Sequence, residues 1–282
     1  MGLLLIKPAE LLLFYTGADT WRSKALSCLP EHGRVSCTLC FPNQSVLFDQ
    51  TKRTEATWRI TNNPLAWGNS TPEVVVLGFS KGPTQAGALA SAPHDEIAGK
   101  GSRANIGKIL AHVGLLPPAP PTQLKLAVDQ IIADRFGRFH FGSLIRCTVE
   151  RFDEKARDWK GSGGGMLDKF IASSFGRGVA TQCAIRFLGS LPRTTKLVVM
   201  FGLGTKLNYV DAALEVFKVA RPGGWRKLND VSYADEALTV VHVEHFAARG
   251  PLIPDWLGIT NKPRARLGRL VQQSVRTALS RE

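Results

Sequence analysis

Four short apolar runs constrain this chain more than any other feature. They are Val74–Leu77 (VVVL), Phe139–Cys147 (FHFGSLIRC), Lys196–Phe201 (KLVVMF) and Leu238–Val243 (LTVVHV). Each is short and rich in branched or aromatic residues, which predicts buried strands. Longer segments between them have helical patterning. Ala104–Val113 sets Ile106, Ile109, Leu110 and Val113 on one face. Leu124–Phe136 and Phe170–Leu191 are further helices, and FGLGTK turns into another after the third strand. Alternating buried strands and helices predict an α/β fold. We expect a three-layer α/β/α sandwich with a central, largely parallel four-stranded sheet.

The rest of the chain reads as accessory. Residues 1–40 form an N-terminal arm with a helix, and residues 41–72 are polar and irregular. A long loop runs from the first strand to Ser102. PPAPP (Pro117–Pro121) is a stiff connector, and KGSGGG (Lys160–Gly165) is a flexible surface loop. Residues 264–281 close the chain as a basic amphipathic helix, with Leu267, Leu270, Val271, Val275 and Leu279 as its apolar stripe. No boundary divides the chain, so residues 1–282 are expected to form a single domain.

With 282 residues, 44% of them hydrophobic, and a mean hydropathy of -0.03, the chain has the make-up of a soluble globule with a sizeable core. The apolar N-terminus MGLLLIKPAELLLFY is interrupted by Lys7, Pro8 and Glu10, too early for a signal-peptide core or a membrane span. A cytoplasmic monomer without a membrane partner is expected. In such a compartment the five cysteines are thiols or metal ligands rather than a disulfide framework. The net charge of +13 favours a polyanionic partner, nucleic acid first, over a merely solubilising surface.

The first strand runs into GFSKG, Gly78 to Gly82. G-x-S-x-G matches the nucleophile elbow of α/β-hydrolases, with Ser80 as nucleophile. Asp211 or Asp235 and His242 or His245 follow in the required chain order. That elbow needs a helix directly after it and strands before it. PTQAGALASAP is poor helix material, and residues 1–73 show no convincing strand.

A second reading uses more of the chain. In order come VVVLGFSKG, RANIGKILAHVGL, FHFGSLIRC, CAIRFLGSLPRTTKLVVMFGLGTK and VVHVEHFAAR. This succession, over about residues 37–260, resembles the uracil-DNA glycosylase superfamily. Cys37 and Cys40 form a C-x-x-C, Cys147 ends the second strand, and Cys183 opens the CAIRFL helix. These four positions resemble the iron–sulfur ligands of the family 4 branch, which implies a [4Fe–4S] cluster. The stretch between Cys147 and Cys183 is longer than usual and contains KGSGGG. Taken alone, a C-x-x-C is equally a redox pair or half a zinc site, and any one cysteine a small buried hydrophobe. Cys28 is left over as structural.

The resemblance implies hydrolysis of an N-glycosidic bond in DNA, with the base flipped into a pocket. Gly78, Phe79, Lys81, Gly82 and Ser143 would line it. The two familiar water-activating positions are both serine here, Ser80 and Ser143, and a hydroxyl is a poor base. Asp95, followed by Glu96 in the loop APHDEIAGKG, is the expected replacement. His245 matches the late histidine that donates to the base carbonyl as charge develops, although Phe246 stands where proline is usual. The aromatic that normally stacks on the base is missing from GKGSRAN, leaving Phe79 or Phe139 for that task. A pocket without the usual ring suits a bulky modified pyrimidine, such as a glycosylated cytosine of phage DNA, better than uracil. Arg249, Arg264, Arg266 and Arg269 are expected to meet phosphates, with Leu252 and Ile253 filling the gap left by the flipped nucleotide. A binding protein on the same fold, without catalysis, is the alternative from another class.

Overall fold

The computed structural model describes residues 29–161 and 166–281. Most of the N-terminal arm, with Cys28, lies outside them. In chain order, β1 (Gly33–Arg34), β2 (Lys52–Glu55), β3 (Trp58–Thr61) and β4 (Leu65–Gly68) precede the first expected strand, β5 (Val74–Gly78). Then come α1 (Pro83–Gly87), α2 (His94–Ile97), α3 (Arg103–His112) and α4 (Pro121–Ala133). β6 (Phe139–Ser143), β7 (Thr148–Asp153) and β8 (Asp158–Gly161) follow, then α5 (Leu167–Ala172), α6 (Ser174–Leu188), β9 (Leu197–Phe201) and α7 (Asn208–Ala220). β10 (Arg226–Asn229), β11 (Ser232–Ala234), β12 (Thr239–Val243), α8 (Leu252–Trp256) and α9 (Ala265–Leu279) complete the chain.

The fold is α/β, but the main sheet is not four-stranded. It has eight strands in the order β1-β4-β6-β5-β9-β12-β11-β10. The four expected strands are its contiguous centre, and all three pairings among them are parallel. Antiparallel strands extend both edges: β4 and β1 beyond β6, and β11 and β10 beyond β12. A separate antiparallel sheet, β2-β3-β7-β8, grows out of residues expected to be irregular. These added strands are two to six residues long, and several, such as KRTE and RKLN, are mostly polar and exposed. Nothing in the composition of KRTE or RKLN announces a strand; the pairing partner creates it.

The centre holds because it is apolar along its whole length. Val74–Leu77, Leu197–Phe201 and Thr239–Val243 are buried at every position, as strands covered on both faces must be. α9 packs on β12, β11 and β9, while α4 packs on β4 and β6 and against α3. The buried stripe of α9 is made of small residues, Ala265, Gly268, Ser274 and Ala278 with Val271 and Val275. The expected leucines at 267, 270 and 279 flank it, half-buried. A Cβ on Gly268 would lie 2.4 Å from the Trp256 carbonyl oxygen, so glycine is what lets α9 and α8 approach.

Two histidines are sealed into the sheet. His242 donates from Nδ1 to the Gly202 carbonyl at 3.1 Å and accepts the Tyr233 hydroxyl at Nε2, 3.2 Å. Burial holds its pKa down to about 4. The unfolded chain therefore takes up a proton near pH 6.5 that the folded chain refuses until about pH 4. Stability is complete above pH 6.5 and is lost as the pH falls toward 4, by about 3 kcal/mol from this group. Urea melts at pH 7.5, 6 and 4.5 should show that decline, and a flat profile would count against it.

Candidate functional site

The order β6-β5-β9-β12 has a switch point. The chain leaves β5 for β6 on one side, and leaves β9 for β12 on the other. In open α/β sheets the crevice beyond the carboxyl ends at such a point receives ligands. The register brings the expected loops to this edge. Gly78 pairs with Ser143, Leu77 with Met200, and Val243 with Phe201. GFSKG, Ser143, the Gly202–Gly204 turn and His245 thus leave the sheet at one level. The chain after Ser143 stays on the GFSKG loop, where Leu144 N–H donates to Gly78 O and Ile145 N–H to Phe79 O, both at 2.8 Å.

His245 is fixed by its own loop. Its Nδ1 accepts the Ala247 N–H at 3.1 Å, so in the neutral ring the proton sits on Nε2, which becomes a donor. Burial lowers its pKa and so favours that neutral form. The ring stacks on Phe246 at 4.5 Å between centroids, and Asn105 of α3 holds the Phe246 carbonyl at 3.1 Å. Phe246 is an aromatic ring at this edge and packs edge-on against Phe201 at 4.9 Å between centroids. Phe79 is turned into the core against Phe170 and Tyr209, and Phe139 opens β6 at the opposite end of the sheet.

Glu244 explains how this loop is held. Its buried carboxylate accepts the His245 N–H at 3.0 Å and the Arg264 guanidinium at 2.6 Å. Arg264 therefore serves the protein's interior rather than its basic face. Arg266 pairs with Asp230 at 2.8 Å on the surface, while Arg249 and Arg269 are exposed. Leu252 is exposed and Ile253 is buried.

Asp95 faces His32, with Oδ1 2.7 Å from Nε2, and its backbone carbonyl accepts Arg103. His32, His94 and Asp95 are the one set of three such donors within 4.8 Å of one another among the described residues. They do not suit a metal ion. His32 Nδ1 accepts the Gly68 N–H at 3.2 Å, which places the ring proton on Nε2, the atom a metal would need.

Cys37, Cys40 and Cys147 are each electrostatic neighbours of Cys183, and none of the four is in a disulfide. Cys40 Sγ donates to Gln182 Oε1 at 3.6 Å, and the closeness of Cys40, ahead of burial, raises the Cys183 thiol well above its usual range. Burial, then Cys183, pushes Cys147 up to about 12; burial also raises Cys37. Backbone amides of Leu39, Asn63 and Arg146 point at the sulfurs of Cys37, Cys147 and Cys183. Asn62 fixes the Cys37 carbonyl at 2.8 Å, and Arg53 the Cys40 carbonyl at 3.1 Å. Lys81, expected to line the pocket, is buried instead, with its ammonium donating to the Arg146 carbonyl.

No protein-family model matches the chain, and no curated protein matches it. Among the described residues no helix is long and apolar enough to cross a membrane.

The Glu244–Arg264 pair gives a measurable expectation. Arg264→Ala leaves a buried carboxylate without its cation and should cost about 3 kcal/mol of folding stability in urea melts. A loss below about 0.5 kcal/mol would show the pair to be surface-like.

Proposed function

We propose that this protein is a DNA glycosylase of the uracil-DNA glycosylase type. It hydrolyses the N-glycosidic bond of a non-standard base and leaves an abasic site, acting as a cytoplasmic monomer in repair or in defence against modified phage DNA. We read the fold as a three-layer α/β/α sandwich, with helices such as α4 and α9 on the sheet. The observation that carries the proposal is the meeting of GFSKG, Ser143 and His245 at one switch-point edge, with His245 in the Nε2–H form.

Base excision makes three demands: an oriented water, a stabilised sugar cation and a stabilised base anion. His245 Nε2–H answers the last by donating to a carbonyl oxygen of the departing pyrimidine. The Ser80 and Ser143 hydroxyls orient the water. Asp95 is the acid we assign to deprotonating it, with His32 as its partner. The same protonation of His245 speaks against a serine hydrolase, whose histidine must accept from the nucleophile at Nε2. His242 is sealed in the sheet by Tyr233 and Gly202.

Cys37, Cys40, Cys147 and Cys183 would hold a [4Fe–4S] cluster, which supplies a rigid anionic anchor when bound. Amides aimed at sulfur stabilise thiolates. Arg146 Nε, buried and without a partner among the described residues, is a donor that a thiolate or sulfide would satisfy. Anaerobically purified protein should be brown. Serine at any of the four positions should lower its iron content, and Cys28→Ser should not; a colourless protein holding stoichiometric zinc would refute the cluster.

The second reading, a protein that binds modified DNA without cutting it, is favoured by one observation: the Asp95 carboxylate faces His32 rather than either serine. Duplexes carrying uracil, hypoxanthine or glucosylated hydroxymethylcytosine, scored for abasic sites, separate the two. In the enzyme, Asp95→Asn abolishes release with binding nearly intact. His245→Ala slows it by about 10²–10³, and Ser80→Ala has a smaller effect. Tight binding with no abasic site on any duplex would establish the reader.

A further inference from the structure

We infer that Asp168 is a further catalytic residue, the carboxylate that faces the positive charge developing on the sugar as the base departs. This rests on the glycosylase reading above and deepens it. Of the three demands that base excision makes, the sugar cation is the one that the serines, Asp95 and His245 leave unmet.

The switch point lies between β5 and β9, so the loops after these strands are its walls. Asp168, in the first turn of α5, is tied to both. Asn208 opens α7 directly after the β9 loop, and its Nδ2 donates to Asp168 Oδ2 at 2.6 Å. Phe170, two residues after Asp168, packs edge-on against Phe79 of GFSKG at 6.0 Å between centroids, and Tyr209, next to Asn208, meets the same ring at 6.3 Å. The chain also approaches α5 beside that loop: a Cβ on Gly161 would lie 2.8 Å from Cγ of Pro83, the residue after GFSKG. Asp168 therefore stands between the two loops that flank the crevice. The β9 loop is shaped to deliver this contact. Lys206 and Leu207 are consecutive non-glycine residues in the left-handed region, at φ 54° and 64°, a strain that concentrates at functional sites. A Cβ on Gly204 would lie 2.3 Å from Asn208 Oδ1, so glycine there leaves room for the amide. An asparagine at the start of a helix ordinarily caps it, yet α7 has no side-chain cap and the Asn208 amide turns to Asp168 instead.

The other carboxylate oxygen is the one left for a cation. Asp168 Oδ1 is buried and has no hydrogen-bond partner among the described residues. Removing a carboxylate oxygen from water without a donor is unfavourable. The partner of Oδ2 is a neutral amide, so the carboxylate is held in place without being neutralised. A negative group here opposes the polyanionic substrate but favours the cationic sugar. Interactions that are stronger in the transition state than in the ground state are the ones that accelerate a reaction. In the reaction the C1′–N bond breaks with its electron pair passing to the base, which leaves as an anion, while C1′ and the ring oxygen share the positive charge. Water then bonds to C1′ and yields its proton to Asp95, from which it passes through solvent to the base anion. Asp168 forms no bond and keeps its charge throughout.

Two duplexes test this, one carrying a pyrrolidine abasic analogue that is cationic at neutral pH, the other its neutral tetrahydrofuran counterpart. Wild type should bind the cationic duplex about tenfold or more tightly than the neutral one. Asp168→Asn should lose that preference and keep its affinity for the neutral duplex, which also shows that the variant is folded. On duplexes from which wild type releases a base, it should slow single-turnover release by about 10²–10³. Asn208→Ala keeps the carboxylate but unties it, and should lower the preference and the release rate together. A merely structural Asp168 would leave the ratio of the two affinities unchanged. Asp168→Asn that keeps the preference or the release rate overturns this proposal alone, as does wild type that releases a base yet binds both analogues equally. Wild type that leaves no abasic site on any modified duplex overturns the glycosylase reading and this proposal with it.

Discussion

The parallel register of β6, β5, β9 and β12 is the constraint on which the rest depends. Parallel strands end on the same side of a sheet, and here their pairs end within a residue of one another. That common level gathers residues far apart in sequence, Ser80, Ser143, Gly202 and His245. The reversal of direction between β5 and β9 then opens the edge, because neither outgoing chain crosses the gap. The antiparallel strands on both flanks cover what would otherwise be open ladder edges.

How far the sequence disclosed this depended on where each residue finds its partner. β5, β9 and β12 were legible because continuous branched runs of strand length have few other uses. β6 was legible in part: the expected strand ran on to Cys147, but the ladder ends at Ser143 and the chain turns over the GFSKG loop. The second sheet was not legible, since polar β2 is a strand only by lying beside Trp58–Thr61. At the candidate site, the cysteines and His245 were visible as types in order. The direction of Lys81, the pairing of Arg264 with Glu244 and the contact of Asp95 with His32 were not. Each is decided by a residue distant in the chain, and a charged side chain in a loop or on a basic helix looks solvated until that partner is known.

Charge is distributed unevenly between the edge and what lies beneath it. At the edge stand hydroxyls and a neutral imidazole. Beneath, the loop after β12 is clamped by the buried Glu244 carboxylate against Arg264, and the loop after β5 is tied inward by the buried Lys81, which donates to the Arg146 carbonyl. Buried charges make firm anchors because a displaced partner leaves the other uncompensated in a poor solvent. A surface pair would let either loop drift at small cost.

This division has a chemical consequence for the reaction proposed. An imidazole that donates to a developing base anion is most useful when it is neutral and already oriented, so that no proton need be moved and no side chain reordered at the transition state. The Ala247 contact supplies the tautomer and burial suppresses the charged form. Glu244, next in the chain, binds the His245 backbone amide while its charge is directed to Arg264. The ion pair at the start of α9 thus anchors the loop that carries the late histidine through a strong, buried acceptor.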